Sequence, residues 1–250
     1  MKFCSIGSGS KGNGTLVQSE SALVLIDCGF GLKDSINRLA SMGVSPDQLD
    51  AILVTHEHGD HINGVSRLAK KFDLPVYLTY GTYQCNKIHP VVDCHFIRPD
   101  QPFVLKDLEI LPVTVPHDAS EPCQFVITHK EKKLGILTDL GSISQHVKQA
   151  FVDCKALILE ANHDYELLMD GNYPPTLKKR VAGEWGHLSN EQAFYFLNNH
   201  IDSLQLLVLA HISQQNNSLE KVKRLFSPFA DQFDLHYACQ EFGYDWLIIE

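Results

Sequence analysis

The 250-residue chain has no apolar stretch approaching the roughly 20 residues that a helix needs to cross a bilayer, so no membrane span is expected. Its start, Met1-Lys2-Phe3-Cys4-Ser5, leads into a Gly/Ser loop without an apolar leader core or cleavage site. A secretory signal is therefore not expected, and a cytoplasmic location is. Seven cysteines stand singly at 4, 28, 85, 94, 123, 154 and 239. An odd count without C-x-x-C pairs argues against a disulfide framework or a Cys₄ zinc site. Most should act as small buried apolar residues. Basic residues are outnumbered, 21 Lys and Arg against 30 Asp and Glu, for a net charge of −9. The global basic footprint usual in polyanion binders is missing. Repeats, low-complexity tracts and Pro/Gly/Ser-rich linkers are missing too, so residues 1–250 are expected to fold as a single domain. With 44% apolar and 20% charged residues, the chain is of ordinary globular type and long enough for a substantial core.

Apolar, β-branched and aromatic runs predict strands at 2–6, 14–18, 22–27, 51–54, 75–78, 94–97, 103–105, 108–115, 123–128, 133–138, 155–160, 205–210, 235–238 and 245–249. Helical periodicity falls at 31–41, 61–71, 80–88, 142–150, 164–169, 174–182, 189–199 and 218–225. Ser189 and Gln192 fit a capping box opening one of these helices. Periodicity alone gives a mixed α/β class.

Residues 55–61 read Thr-His-Glu-His-Gly-Asp-His, directly after Ala51-Ile52-Leu53-Val54. Imidazole nitrogen and carboxylate oxygen are ligands that Zn²⁺, Mn²⁺ and Fe²⁺ accept. Alternate side chains on extended backbone leave the same face, so His56 and His58 can close on one ion. Asp60 and His61 lie past Gly59, where the chain turns, and can face a second ion. Two divalent ions would offset about four of the negative charges.

The motif H-x-H-x-D-H resembles the signature of the metallo-β-lactamase superfamily, and the likeness extends through most of the chain. It implies an αββα sandwich of two mixed β-sheets flanked by helices. It also implies further ligands on later strand-end loops, and His117, Asp139 and His211 each follow an apolar run. The implied set is His56, His58 and His117 on one ion, Asp60, His61 and His211 on the other, and Asp139 bridging. The segments Cys4–Asn13, Glu160–Asp164 and Gly186–Asn190 narrow the resemblance to the YycJ/WalJ branch, whose members are linked to DNA exonuclease activity. The redox branch carries Glu where this chain has His58, which favours hydrolysis. The chain is too short for the large insertion of β-CASP nucleases such as ribonuclease J, and it lacks the flexible arm of tRNA 3′-processing relatives.

Two ions about 3.5–4 Å apart can share a water, hold it as hydroxide and stabilise both oxygens of an in-line phosphoryl displacement. The expected activity is a metal-dependent phosphodiesterase or 5′-3′ DNA exonuclease, with DNA as substrate and Zn, Mn or Fe as the metal. His187, flanked by Gly186 and the capped helix, is the candidate general acid for the leaving group. Asp60 and His163 are further catalytic candidates. His163 follows the strand run 155–160 and reads equally well as substrate contact, ligand support or helix start. Asp139 could instead cap the helix from 142.

Gly7-Ser8-Gly9-Ser10-Lys11-Gly12 formally satisfies G-x-G-x-x-G, but a strand and not a helix follows, which rejects a dinucleotide fold. It reads as a turn with glycines at positive φ, or as a loop whose amides, with Ser8, Ser10 and Asn13, face the substrate phosphate. Basic runs at Lys130, Lys132 and Lys133, at Lys178-Lys179-Arg180 and at Lys221, Lys223 and Arg224 read as solvated faces, with 178–180 notable for preceding His187. His89, His95, His129, His146, His200 and His236 read as structural residues without partners. The same metal site could serve a carboxylic ester, thioester or lactone hydrolase, or a small cyclic phosphodiesterase, and the acidic charge favours these. A non-catalytic metal-binding module would not need a full ligand set around an open site.

Overall fold

A computed structural model describes residues 1–90, 92–200 and 203–250. Strands β1 (Lys2–Gly7), β2 (Gly14–Gln18), β3 (Leu23–Ile26), β4 (Ala51–Leu53), β5 (Val76–Leu78) and β6 (Cys94–Phe96) form one sheet with the late strand β14 (Tyr244–Ile248). Its order is β14-β1-β2-β3-β4-β5-β6. The second sheet contains β7 (Phe103–Leu105), β8 (Leu108–Thr114), β9 (Cys123–His129), β10 (Lys132–Leu137), β11 (Ala156–Glu160), β12 (Leu206–Ala210) and β13 (Asp234–Tyr237), in the order β13-β12-β11-β10-β9-β8-β7. Both sheets are mixed. Pairing is antiparallel through β14-β1-β2-β3 and parallel through β3-β4-β5-β6. In the second sheet it is antiparallel through β7-β8-β9-β10 and parallel through β10-β11-β12-β13.

The period-two pattern of the strands sorts their side chains between three cores. Leu53 of β4, Ile136 of β10 and Val208 of β12 meet between the sheets. Ile52, one residue along, faces Leu39, Val65 and Leu68 of the helices α1 (Leu32–Ser41) and α3 (Val65–Phe72). On the far side Leu207 and Leu209 pack on Phe151, Phe196 and Phe226. These come from helices α5 (Gln145–Phe151), α8 (Asn190–His200) and α9 (Leu219–Phe226). Each fully buried Leu or Phe contributes about 1.5–3 kcal/mol. The result is the four-layer αββα sandwich.

All fourteen strand runs are strands, with ends displaced by at most a residue or so. The helices depart more. The run 61–71 divides into α2 (Gly59–Ile62) and α3, because the chain turns at Gly64. There the Gly64 N–H bonds to Cys28 O at 2.7 Å, and a Cβ would lie 2.0 Å from Phe30 O, so a continuous helix with a side chain cannot pass. The run 80–88 is helical only as α4 (Tyr80–Tyr83). The helix expected from 142 begins at Gln145, capped by the Ser144 hydroxyl, which removes Asp139 as its cap. The Ser189–Gln192 capping box forms in both directions, at 2.8 and 3.2 Å. Two further helices, α6 (Tyr165–Asp170) and α7 (Pro175–Val181), lie between β11 and α8. Among the described residues no helix is long and apolar enough to cross a membrane.

Candidate metal centre

Parallel neighbours bring their carboxyl ends to one rim. Leu159 of β11 pairs with Leu137 of β10 and Leu209 of β12, so these strands end level. Ile26 of β3 pairs with Leu53 of β4 in the facing sheet. The residues just past those ends are Asp27, Thr55, Asp139 and His211, with Glu160 closing β11. Open α/β sheets place their sites at such strand ends. Asp27, Asp139 and His211 all hold left-handed backbone, with φ of 59°, 54° and 51°. For non-glycine residues that conformation is uncommon and costs about 1–3 kcal/mol where it is strained, and it collects at functional sites.

The ligand-type side chains fall into compact groups. His56, His58 and His117 form one, and Asp60, His61, Asp139 and His211 another. In the first, His117 Nε2 lies 3.2 Å from His58 Nδ1. In the second, His61 Nε2 stands 3.2 Å from Asp139 Oδ2 and 3.6 Å from Asp60 Oδ2. His211 Nε2 stands 3.5 Å from both Asp60 Oδ2 and Asp139 Oδ1. Ligands held about 2.0–2.2 Å from a tetrahedral Zn²⁺ stand about 3.3–3.6 Å apart. The spacings fit an ion. His56 Nε2, His211 Nε2 and Asp139 Oδ2 are moreover buried with no hydrogen-bond partner, a costly condition that a cation would relieve.

The opposite nitrogens are fixed, as metal histidines require. His117 Nδ1 donates to Gly186 O at 2.9 Å, which leaves a lone pair on Nε2. Asp27 Oδ2 accepts from His61 Nδ1 at 2.7 Å and from the Thr55 hydroxyl at 2.8 Å. Having given its proton to Asp27, Thr55 Oγ1 accepts from His56 Nδ1 at 3.0 Å. One buried carboxylate thus sets the tautomer of a ligand in each group. Sequence reasoning missed Asp27, although it closes the run 22–27 much as Asp139 follows the run 133–138.

A third group joins Asp139, Glu160, His187 and His211. Glu160 is fully buried, yet its oxygens are engaged. Oε1 accepts from His187 Nδ1 at 2.7 Å, and Oε2 accepts from Leu140 N at 3.2 Å and Leu188 N at 3.1 Å. It holds His187 in place and is the second residue that sequence reasoning missed as part of the site. Burial works against a charged His187, but the Glu160 carboxylate outweighs it and raises the imidazole above its ordinary value. At His211, burial is likewise outweighed by Asp139, and the group is pushed up to about 10. The carboxylates of this rim call for positive charge, which protons supply when no ion does.

The sequence-predicted residues divide as follows. His58, Asp60, Asp139, His187, His211 and Ser10 line a cavity of about 370 Å³. Ser8 is buried, and its hydroxyl accepts from His211 N at 2.9 Å. Asn13 Nδ2 approaches His61 Nε2 at 3.1 Å, while its Oδ1 accepts from Gly9 N at 2.8 Å. Both support the histidines from a loop whose Gly7, Gly9 and Gly12 hold φ of 151°, 145° and 150°. His163 is buried and is not among the residues that line the cavity. The cap of α6 is Asp164, which accepts from Leu167 N at 2.9 Å. The histidines read as unpartnered are corrected. His95, His129, His146 and His236 sit 3.0, 3.2, 2.7 and 2.9 Å from Asp93, Asp107, Asp100 and Asp234. The His89 N–H bonds to Ser66 Oγ, and the His200 side chain lies outside the described residues. All seven cysteines are free, with four of them buried.

Residues 23–212 match the family described as the beta-lactamase superfamily domain. The chain belongs to the metallo-β-lactamase superfamily. It is 32% identical over 241 residues to exodeoxyribonuclease YycJ of Bacillus anthracis, covering 93% of this chain and 90% of that one. It is 33% identical over 226 residues to exodeoxyribonuclease WalJ of Streptococcus pneumoniae, covering 88% and 84%. The structure of the metallo-β-lactamase fold protein YhfI of Bacillus subtilis superposes with a TM-score of 0.75 at 20% identity, covering 99% of both chains. As a metallo-β-lactamase superfamily member the chain is a hydrolase, and its histidine and carboxylate groups suit divalent metal.

Proposed function

We propose that the protein, folded over residues 1–250 as a single metallo-β-lactamase-fold domain, is a two-metal phosphodiesterase acting on DNA ends. One observation carries the reading: two adjacent ligand groups each hold a buried atom without a hydrogen-bond partner, and His58, Asp60, Asp139 and His211 of those groups line one open cavity. Support for DNA comes from the relatives named as exodeoxyribonucleases, matched over most of their length. His56, His58 and His117 would hold one ion and Asp60, His61 and His211 the other. Asp139, whose Oδ2 has no hydrogen-bond partner, would lie between them. Zn²⁺ or Mn²⁺ suits such ligands, and Fe²⁺ is compatible. Bound ions supply Lewis acidity and charge stabilisation for phosphoryl transfer.

The chain's own residues do the rest. Asp60, which lines the cavity, would take a proton from the attacking water. A P–O bond to water forms, the P–O bond to the leaving group breaks, and the departing oxygen needs a proton. His187 is placed to give it. Its Nδ1 is tied to Glu160, so Nε2 is the nitrogen available to substrate, and the carboxylate raises the ring's affinity for a proton above its ordinary value. His163, buried and outside the cavity lining, would not touch the substrate. A second reading, a small-ester, thioester or cyclic-phosphodiester hydrolase, is favoured by the net charge of −9. Metal-loaded protein assayed on end-labelled duplex DNA, single-stranded DNA, RNA and a thioester decides between them. Thioester turnover without DNA cleavage would overturn the proposal.

A further inference from the structure

Lys87 and Arg180 are the lysine and arginine of the cavity wall. Arg180 is carried by α7, which buries none of its residues, and its side chain is 54% exposed. It is not left to wander. Its Nε donates to Asp118 Oδ2, and Asp118 is itself tied down, its N–H bonding Trp185 O at 2.9 Å. The other oxygen, Asp118 Oδ1, stands 3.8 Å from His58 Nε2 and 3.7 Å from His117 Nε2. One carboxylate therefore separates the guanidinium from the first histidine group.

Nε accounts for one of the five N–H donors of arginine. The four on the Nη atoms make no hydrogen bond among the described residues. A planar fork held on one edge by a carboxylate loses little further freedom when its other edge meets an anion. Its distance from the histidines also matters. To touch a phosphate lying on the ligand groups it would have to displace Asp118. Undisturbed, it faces whatever anion lies one step outward.

We propose that Arg180 binds the phosphate next to the one cleaved, with Asp118 as its positioning residue, and so selects polynucleotides over diesters with a single phosphate. The proposal rests on the phosphodiesterase reading above. On a chain of net charge −9, one anchored guanidinium at the mouth supplies locally what the whole surface lacks.

The test uses metal-loaded wild type, Arg180→Ala and Arg180→Lys. Binding of a cleavage-resistant phosphorothioate single strand is followed by fluorescence anisotropy across salt concentrations. Arg180→Ala should weaken binding by about 10–100-fold. Its plot of log affinity against log salt should lose about 0.7 of slope, one single-strand phosphate contact. Arg180→Lys should restore the slope but not the full affinity, because an ammonium cannot form the fork. The ratio of kcat/KM for an oligonucleotide to that for bis-nitrophenyl phosphate should fall by about 10–100-fold in the alanine variant. Unchanged slope and affinity would overturn the proposal, as would an equal fall on both substrates, which would put Arg180 on the scissile phosphate. A wild type that turns over neither substrate would sink the phosphodiesterase reading instead, while the binding arm would still decide Arg180.

Discussion

Asp27→Asn isolates what one buried carboxylate does for both ligand groups. Asp27 is 4% exposed. It accepts Thr55 N–H on Oδ1 at 2.9 Å, and the Thr55 hydroxyl and His61 Nδ1 on Oδ2 at 2.8 and 2.7 Å. All three partners are donors, whereas an amide offers one acceptor atom and one donor atom. With the NH₂ toward His61, donor meets donor unless the ring moves its proton to Nε2, where the lone pair for a metal is then lost. Thr55 would also have to turn, reversing its bond with His56 and blocking that ligand too. With the NH₂ toward Thr55 N–H, the tautomers survive but a buried peptide N–H is left unpaired. Either orientation forfeits a buried hydrogen bond, about 1–3 kcal/mol, or about 5–150-fold in an equilibrium. The first orientation spends it on metal affinity, where loss of a ligand-orienting partner typically costs about 10–100-fold. The second spends it on the stability of the chelated protein. Metal titration and urea unfolding of the same variant should show the two losses summing to about 1–3 kcal/mol. Wild-type affinity together with wild-type unfolding would refute the argument that Asp27 fixes His56 and His61.

Asp139→Ala should abolish hydrolysis and release at least one ion by elemental analysis while circular dichroism stays native, since two cations without a carboxylate between them repel; full activity would remove Asp139 from the site. His187→Ala should lower kcat on natural phosphodiesters by about 10²–10⁴-fold with metal content retained. Nitrophenyl esters, whose leaving group needs no proton, should suffer less, and an equal fall on both or a loss of metal would refute the acid role. Because His211 is raised from 6.5 to about 10, the metal-free protein carries a proton there that an ion must displace. Metal affinity should then climb with pH between about 7 and 9, by about tenfold per unit for each proton displaced, and the stability that the His211 proton lends the metal-free fold, full below 6.5, should fade as pH rises through about 10; a pH-independent affinity would show the ring to be already neutral.

The strands were legible because their signal is local and repeated. Residues 14–18 and 103–105 match to the residue, since a short apolar, β-branched or aromatic run bounded by polar turn residues is itself the strand signal. Helix ends were less so. Nothing between 61 and 71 announces that Gly64 must pass against the Cys28–Phe30 backbone, a contact made between segments far apart in sequence. The ligands divide in the same way. Residues 56–61 are crowded enough to be read as a metal motif on sight. Asp27 and Glu160 carry one carboxylate each, in segments that also suit ordinary strand ends. Their importance depends on which histidine a distant segment delivers, His61 from α2 and His187 from the loop before α8, and a single sequence does not bring such segments together.

The cost of the site explains why its parts sit where they do. Asp27 and His211, one residue past β3 and β12, and Asp139, two past β10, adopt left-handed backbone, and a non-glycine residue holds that conformation only where its surroundings over-determine it. For Asp139 and His211 the level registers of β10, β11 and β12 provide that determination, because Leu137, Leu159 and Leu209 are fixed by ladder and core before the chain leaves the sheet, and for Asp27 the pairing of Ile26 with Leu53 does the same. Turning within two residues of the last paired one throws each side chain over the rim instead of along the strand. A loop one residue longer would relax the backbone but would let the carboxylates separate. Asp60, Asp139 and His211 would then lose the 3.5 Å spacing that suits an ion. Strain, buried unpartnered atoms and concentrated negative charge are therefore features of one arrangement, and all three are relieved or justified by the same event, the arrival of divalent cations.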